Sequence, residues 1–290
     1  MTTATRTIRL IEAVEAAAAV AEIESWLDLP PCLVSTYPQV FGPDRLARLF
    51  GVFEDGHLVS HAAAQLAEIH VHSRLVRAVL IGSVATSPQH RRSGLASDLL
   101  RHICAVTQSA GCDLVMLWSD LWSFYEQLGF TPGGLQLELD LVSDGSEPSP
   151  GIRAATPADH PSILRLHSVK PVRVWRNLQH LELLMSTSPM TTMVLQRDDD
   201  VVAYACLGKG IDFAGWWHEF GGLDADVATL IQGSMTTLGL DRCIVMLPTY
   251  RAELPRLFDD ASVRSGASSL CLPLSDAGCV PTFVDGLDSI

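Results

Sequence analysis

Arg91, Gly94 and Ala96 lie at the end of residues 79–96, VLIGSVATSPQHRRSGLA, and their types and spacing suit the binding of an anion. An apolar, β-rich run leads to a proline break, then a basic turn, then small residues that open a helix. Backbone N–H groups at a helix start have no partner within the helix, and the helix dipole favours negative charge there. Small residues let the main chain approach a phosphate closely, and Arg91 and Arg92 add charge, so a diphosphate cradled there meets many donors. Alone the R-x-x-G-x-A spacing is weak, because a basic turn capping an ordinary helix has it too. A second pattern follows it. In residues 122–130, WSFYEQLGF, Tyr125 precedes Gly129-Phe130 as Y-x-x-x-G-F. That tyrosine is either a half-buried aromatic packing its helix on a sheet or a phenol available for proton transfer.

With both patterns present in this order, the sequence resembles the GNAT N-acetyltransferase superfamily, strongly over 76–130 and by element order over 7–141. The resemblance implies that the loop after the fourth strand holds the pyrophosphate of CoA, that the pantetheine arm runs beside that strand, and that a tyrosine on the later helix protonates the departing thiolate. Matched by position, Gln89, His90, Arg91, Arg92, Ser93, Gly94, Leu95 and Ala96 form the loop, Val84, Ala85 and Thr86 flank the pantetheine, and Tyr125 is the acid. A phenol of pKa about 10 keeps its proton at neutral pH and can supply it to a thiolate. Gly129 and Phe130 then end the helix and anchor the next strand. Many members of the superfamily carry an Asn just after the fifth strand, where this chain has Trp118, Ser119 and Asp120. Ser119 or Asp120 either contacts the cofactor or caps a helix.

The implied reaction is direct transfer of an acetyl group from acetyl-CoA to an amine, without a metal. A CoA-binding regulatory module with idle catalytic residues, and an acyltransferase with a longer acyl donor, are the alternatives. An acceptor ammonium must lose a proton before it attacks. Glu68, His70, His72, Asp120 and Glu126 are candidate bases, none of which stands out, and a water relay serves equally.

The elements that must position these residues read as a strand at 7–10, a helix at 13–27, a short helix at 44–50 and a hairpin over 52–69. A strand at 76–85, a helix at 94–110, a strand at 113–118, a helix at 123–128 and a final strand at 135–141 follow. This order predicts an α+β fold with a mixed, mostly antiparallel central sheet flanked by helices. Residues 143–151, SDGSEPSPG, have the composition of an exposed linker and divide the chain into domains at 1–145 and 146–290.

The two halves echo each other. GVFEDGHLVSHA from Gly51 matches VLQRDDDVVAYA from Val194 as strand, acidic turn, strand, and Val115-Met116-Leu117 matches Val245-Met246-Leu247. The offset falls from 143 to 130 residues between these markers, so the second half lacks 13 residues there. No basic small-residue loop precedes its helix, expected at 227–238. The second half is therefore expected to be a degenerate copy that binds no diphosphate. Its strand at 215–222, GWWHEFGG, is expected in core and interdomain packing, with His218 or Glu219 able to reach an acceptor pocket. Tyr204 and Trp175 are expected in the core.

Charge narrows the partners. Lys plus Arg total 20 against 33 Asp plus Glu, and the formal charge of −13 argues against nucleic acid or an anionic membrane and suits a cationic acceptor. The 7 scattered cysteines lack metal-ligand spacing and fit a reduced cytoplasm. Residues 13–21 mimic the apolar core of a signal peptide, but Glu12, Glu15 and Glu22 interrupt it, and it reads as an amphipathic helix. No apolar run approaches the roughly 18 to 20 residues of a membrane span. The expectation is a soluble, cytoplasmic enzyme.

Overall fold

The computed structural model describes residues 5–145, 147–258, 261–275 and 283–290. The first half of the chain supplies β1 (Arg6–Leu10), α1 (Ala16–Trp26), the short helices α2 (Leu33–Thr36) and α3 (Pro38–Phe41), β2 (Arg48–Glu54), β3 (His57–Val71) and β4 (Arg74–Thr86). It continues with α4 (Leu95–Ser109), β5 (Leu114–Leu117), α5 (Trp122–Glu126), β6 (Thr131–Pro132) and β7 (Leu135–Val142). The second half supplies β8 (Ile152–Ala154), α6 (His160–Ser168), β9 (Val172–Val174), α7 (Leu178–Met185), β10 (Thr191–Arg197), β11 (Asp200–Lys209) and β12 (Asp212–Gly222). It ends with α8 (Asp224–Leu238), β13 (Arg242–Pro248), β14 (Ser262–Ala267) and β15 (Leu270–Pro273).

Two sheets result, ordered β1-β2-β3-β4-β5-β15-β6 and β14-β7-β13-β12-β11-β10-β8, with β9 joined to β3. Each contains one parallel pair, β4 with β5 and β12 with β13. A parallel neighbour requires a crossover, and α4 and α8 supply it at equivalent places. The hairpins β2-β3 and β10-β11 precede them in both halves. The α+β tandem arrangement expected from the echo is what the chain adopts.

The strands do not sort by sequence, however. The strand expected to complete the first half's sheet, β7, pairs instead with β13 and β14, and its Leu139 and Leu141 are buried against Trp217, Leu230 and Val245 of the second half. In exchange, β15 pairs with β5 and β6. Alternating Leu135, Leu137, Leu139 and Leu141 specify one buried face but not which sheet covers it. Two smaller expectations also differ. Residues 44–50 form no helix: Arg48 opens β2, where residues 49–53 are buried in succession, and sheet burial overrides a short helical pattern. Trp175 is 51% exposed and lies outside the core, whereas Tyr204 is fully buried.

The core that carries the candidate site lies under α4. Leu95, Leu99 and Ile103, one turn apart along the helix, pack with Val79 and Ile81 of β4, Val115 and Leu117 of β5, and Tyr125 and Phe130. Cys32, Cys104, Cys112, Cys206, Cys243 and Cys271 are unpaired, and Cys279 lies outside the described residues. No helix among the described residues is long and apolar enough to cross a membrane.

Two buried imidazoles make acid a probe of this fold. His61 places Nδ1 3.1 Å from the Phe50 carbonyl oxygen and His218 places Nε2 2.8 Å from that of Gly208. Burial pulls each down from 6.5 to about 4. The unfolded chain therefore binds more protons below pH 6.5, so stability is full above that value and is lost as pH falls toward 4. Between pH 7 and pH 5 urea unfolding is expected to lose about 2 kcal/mol for each histidine. Stability that stays flat over this window contradicts the burial of both rings.

Candidate active site

β4 and β5 run together only from the Ala78–Leu114 pair to the Ile81–Leu117 pair. Beyond Ile81, the register of β4 against β3 slips between His61 and Ala63, and Ser83 takes a φ of +52°. β4 is irregular here, as strands are at bulges, and with no rung joining it to β5 past Ile81 the two strands are free to splay as a wedge. Val84, Ala85 and Thr86 lie along this freed stretch. Ala85 is buried, and the Thr86 Oγ1 sits 2.9 Å from Ser60 Oγ.

Eight residues, 87–94, link β4 to α4. Arg91 ties this loop down: its Nε donates to the Thr86 carbonyl at 3.2 Å and its Nη2 to that of Trp26, at the end of α1, at 3.0 Å. His90 holds Ser87 Oγ at 2.6 Å and faces Glu54 at 3.4 Å, and the Ser93 hydroxyl donates to the His90 carbonyl. Arg92 is exposed, with a φ of +62°, and no hydrogen-bond partner for it occurs among the described residues. The two arginines therefore divide the work: one builds the loop, and the other is free to meet a ligand.

Gly94 caps α4 in the left-handed conformation, φ +83°, and a Cβ there would meet nothing within 4 Å. No described backbone acceptor takes the amide hydrogens of residues 91–97. Unpaired amides at a helix start beside open space are what a diphosphate fits. The residues expected to cradle one, 89–96, are thus brought together at the mouth of the wedge.

Tyr125 lies on α5, buried and packed edge-on against Phe124 and Phe130, with ring centroids 4.9 and 5.8 Å away. Burial raises its pKa, opposed by a hydrogen bond with Ser119, so the phenol stays protonated past its ordinary range. Ser119 also accepts the Leu121 amide at 3.1 Å. It serves the turn into α5 and lies close enough to the tyrosine hydroxyl to influence it. Neither partner is visible from the sequence beyond its place after β5.

Asp120 is exposed and, with Ser119, Trp122, Glu138 and Phe213, lines a cleft of about 270 Å³ between the halves. The other base candidates fall elsewhere. Glu68 and His70 pair with Arg77 and Leu75 near the start of β4, and His72 sits in the β3-β4 turn, at the opposite end of β4 from Thr86. Glu126 is exposed on α5.

In the second half a single residue, Leu223, joins β12 to α8. Asp224 and Asp226 occupy the first turn of α8 and are paired with Arg251 and Arg197, and Arg251 also donates to the Gly222 carbonyl at 3.0 Å. Carboxylates fill the place where an anion would have to sit.

His218 stacks on Phe213, with centroids 5.3 Å apart. Glu219 is fully buried and takes both terminal nitrogens of Arg176 at 2.7 Å. Burial alone would raise Glu219, yet Arg176 and Lys170 hold it well below the usual carboxylate range. His167, Glu219 and Asp285 are close enough to share a cation. The Lys170 ammonium already stands there, 2.9 Å from Asp285 and 3.8 Å from Glu219.

The acetyltransferase (GNAT) domain family matches residues 34–133, which contain the wedge, the loop and Tyr125. The chain carries a GNAT domain. Glucosamine 6-phosphate N-acetyltransferase of Trypanosoma brucei brucei is 40% identical over 63 residues, a match that spans 21% of this chain and 43% of that protein. The fold of the whole chain, GNAT domain and second half together, is similar to that of a probable N-acyltransferase from Enterococcus faecalis V583. The TM-score is 0.74 at 16% identity, covering 94% of this chain and 73% of that one. It is also similar to a GCN5-related N-acetyltransferase from Anabaena variabilis, with TM-score 0.70 at 11% identity over 93% and 73% of the two chains.

Proposed function

We propose that the protein transfers an acetyl group from acetyl-CoA directly to an amine, with the cosubstrate held by the GNAT domain and the second half binding none. The observation that carries this reading is the run of unpaired amides over 91–97, just past the end of the β4–β5 pairing, in a chain that also holds a buried, protonated tyrosine on α5. The amides and Arg92 bind the diphosphate, and Val84, Ala85 and Thr86 flank the pantetheine arm. Tyr125 donates its proton to the sulfur that leaves when the acceptor nitrogen attacks the thioester carbonyl. Ser119 orients that hydroxyl, and Asp120 is the one candidate base that shares a cleft with Ser119.

A formal charge of −13 favours a cationic acceptor, and the trypanosomal relative adds an amino-sugar phosphate to the candidates. Thiol release from acetyl-CoA, followed with a polyamine, an aminoglycoside, glucosamine 6-phosphate and a peptide with a free N-terminus, tests the reading. At least one amine is expected to accelerate release about 10²-fold or more over hydrolysis alone. Tight CoA binding without turnover of any amine would assign the chain to regulation by CoA instead.

A further inference from the structure

The chain has two lysines, Lys170 and Lys209, and both are buried with their ammonium groups on one segment, residues 283–290. Lys170 Nζ lies 2.9 Å from Asp285. Lys209 Nζ donates to the Gly286 carbonyl at 2.8 Å, to Ser289 Oγ at 2.9 Å and to the Ser289 carbonyl. Buried Arg176 donates to Asp288 through Nε at 3.0 Å and Nη2 at 2.6 Å, while its terminal nitrogens also hold Glu219. Lys170 and Arg176 thus face three carboxylates, two of which belong to the segment, and Lys209 meets the segment through its carbonyls and the Ser289 hydroxyl.

The other side of the segment meets the GNAT domain. Val284 is buried with Leu80 of β4 and Met116 of β5. Ile290 lies against Gly82, the first residue of β4 past its last rung with β5, and a Cβ on Gly82 would fall 1.8 Å from the Ile290 carbonyl oxygen. Gly286 lines the same cleft as Ser119 and Asp120. α4 and α5 cover the face of the wedge that Val79 and Ile81 present, and the segment lies on the face of Leu80. An acceptor that leaves α5 in place therefore approaches along the segment.

A buried cation has given up its water and must find partners inside the protein. If 283–290 withdrew, Lys170 and Arg176 would be left to share Glu219, and the buried Lys209 amine would lose the Gly286 and Ser289 oxygens it bonds to, so the segment is held as a unit. We infer that Lys170, Arg176 and Lys209 are positioning residues, clasping 283–290 beside the wedge so that it walls the acceptor side of the site. The second half then contributes to the reaction without binding cosubstrate. The consequence for turnover rests on the acyl-transfer reading; the clasp itself does not.

Lys209→Met and Asp288→Asn each loosen the clasp from one side, and Gly82→Ala displaces the segment from the β4 side without altering any charged side chain. Amide hydrogen exchange read by mass spectrometry is expected to rise about tenfold or more across 283–290 in each folded variant, with β13 as protected as in the parent. With acetyl-CoA affinity for Lys209→Met and Asp288→Asn kept within about threefold, kcat/KM for the amine is expected to fall about tenfold or more, as misplacement near reacting groups does. Unchanged exchange in the folded variants overturns the clasp. Released segments with unchanged amine kinetics overturn the positioning role. A parent protein that acetylates no amine contradicts the acyl-transfer reading alone, and the exchange comparison still decides the clasp.

Discussion

Tyr125→Phe is expected to slow amine acetylation about 10²- to 10⁴-fold while CoA affinity stays within a fewfold. The substitution removes one oxygen and keeps the ring that packs on Phe124 and Phe130, so the GNAT core should remain intact. As the proposed acid, the hydroxyl would act in the transition state, when the sulfur takes up charge. It matters little to a bound thioester, which makes this a kcat effect. Because burial raises the phenol's pKa, the parent's rate should show no loss from ionisation of Tyr125 up to about pH 10, the ordinary value. Steady-state kinetics with the best acceptor, checked by single turnover to ensure that chemistry limits the rate, supply the measurement. An unchanged rate under those conditions returns Tyr125 to a packing role.

How far such a site can be read from sequence depends on whether its parts are local. The loop is local: Arg91, Gly94 and Ala96 lie within six residues, and the positive φ at Gly94 and the unpaired amides around it follow from one strand-to-helix turn. Tyr125 is legible through the pattern that ends its helix. The role of Arg91 is less so, since nothing in the sequence says that its guanidinium bonds to Thr86 and Trp26 while Arg92 stays exposed.

The strand exchange was hidden for a different reason. β7 and β15 are short apolar segments, and period-two patterning fixes their buried face but not their sheet. The same connection brings residues 283–290 back into the first half, so a linker at 143–151 separates the halves in sequence while each sheet depends on a strand from the other. The buried cluster joins Lys170, Arg176, Glu219, Asp285 and Asp288 across more than a hundred residues. Its one sequence signal is scarcity: two lysines in a chain with 20 basic residues, both of them buried.

The claim on which the rest depends is that one cosubstrate binds per chain, at the loop before α4. Calorimetric titration with CoA of the parent and of Gly94→Glu tests it most directly. The Gly94 Cβ position opens onto empty space, so glutamate fits there at a backbone cost of roughly 1 kcal/mol for the left-handed conformation. Its carboxylate would then stand among the amides that are to hold phosphate. The parent is predicted to bind one CoA per chain, and the folded variant to lose affinity by about 100-fold or more, the scale of a few kilocalories of charge repulsion at a partly desolvated site. Two CoA molecules per parent chain, or a folded Gly94→Glu protein that binds CoA as tightly as the parent, would contradict the account.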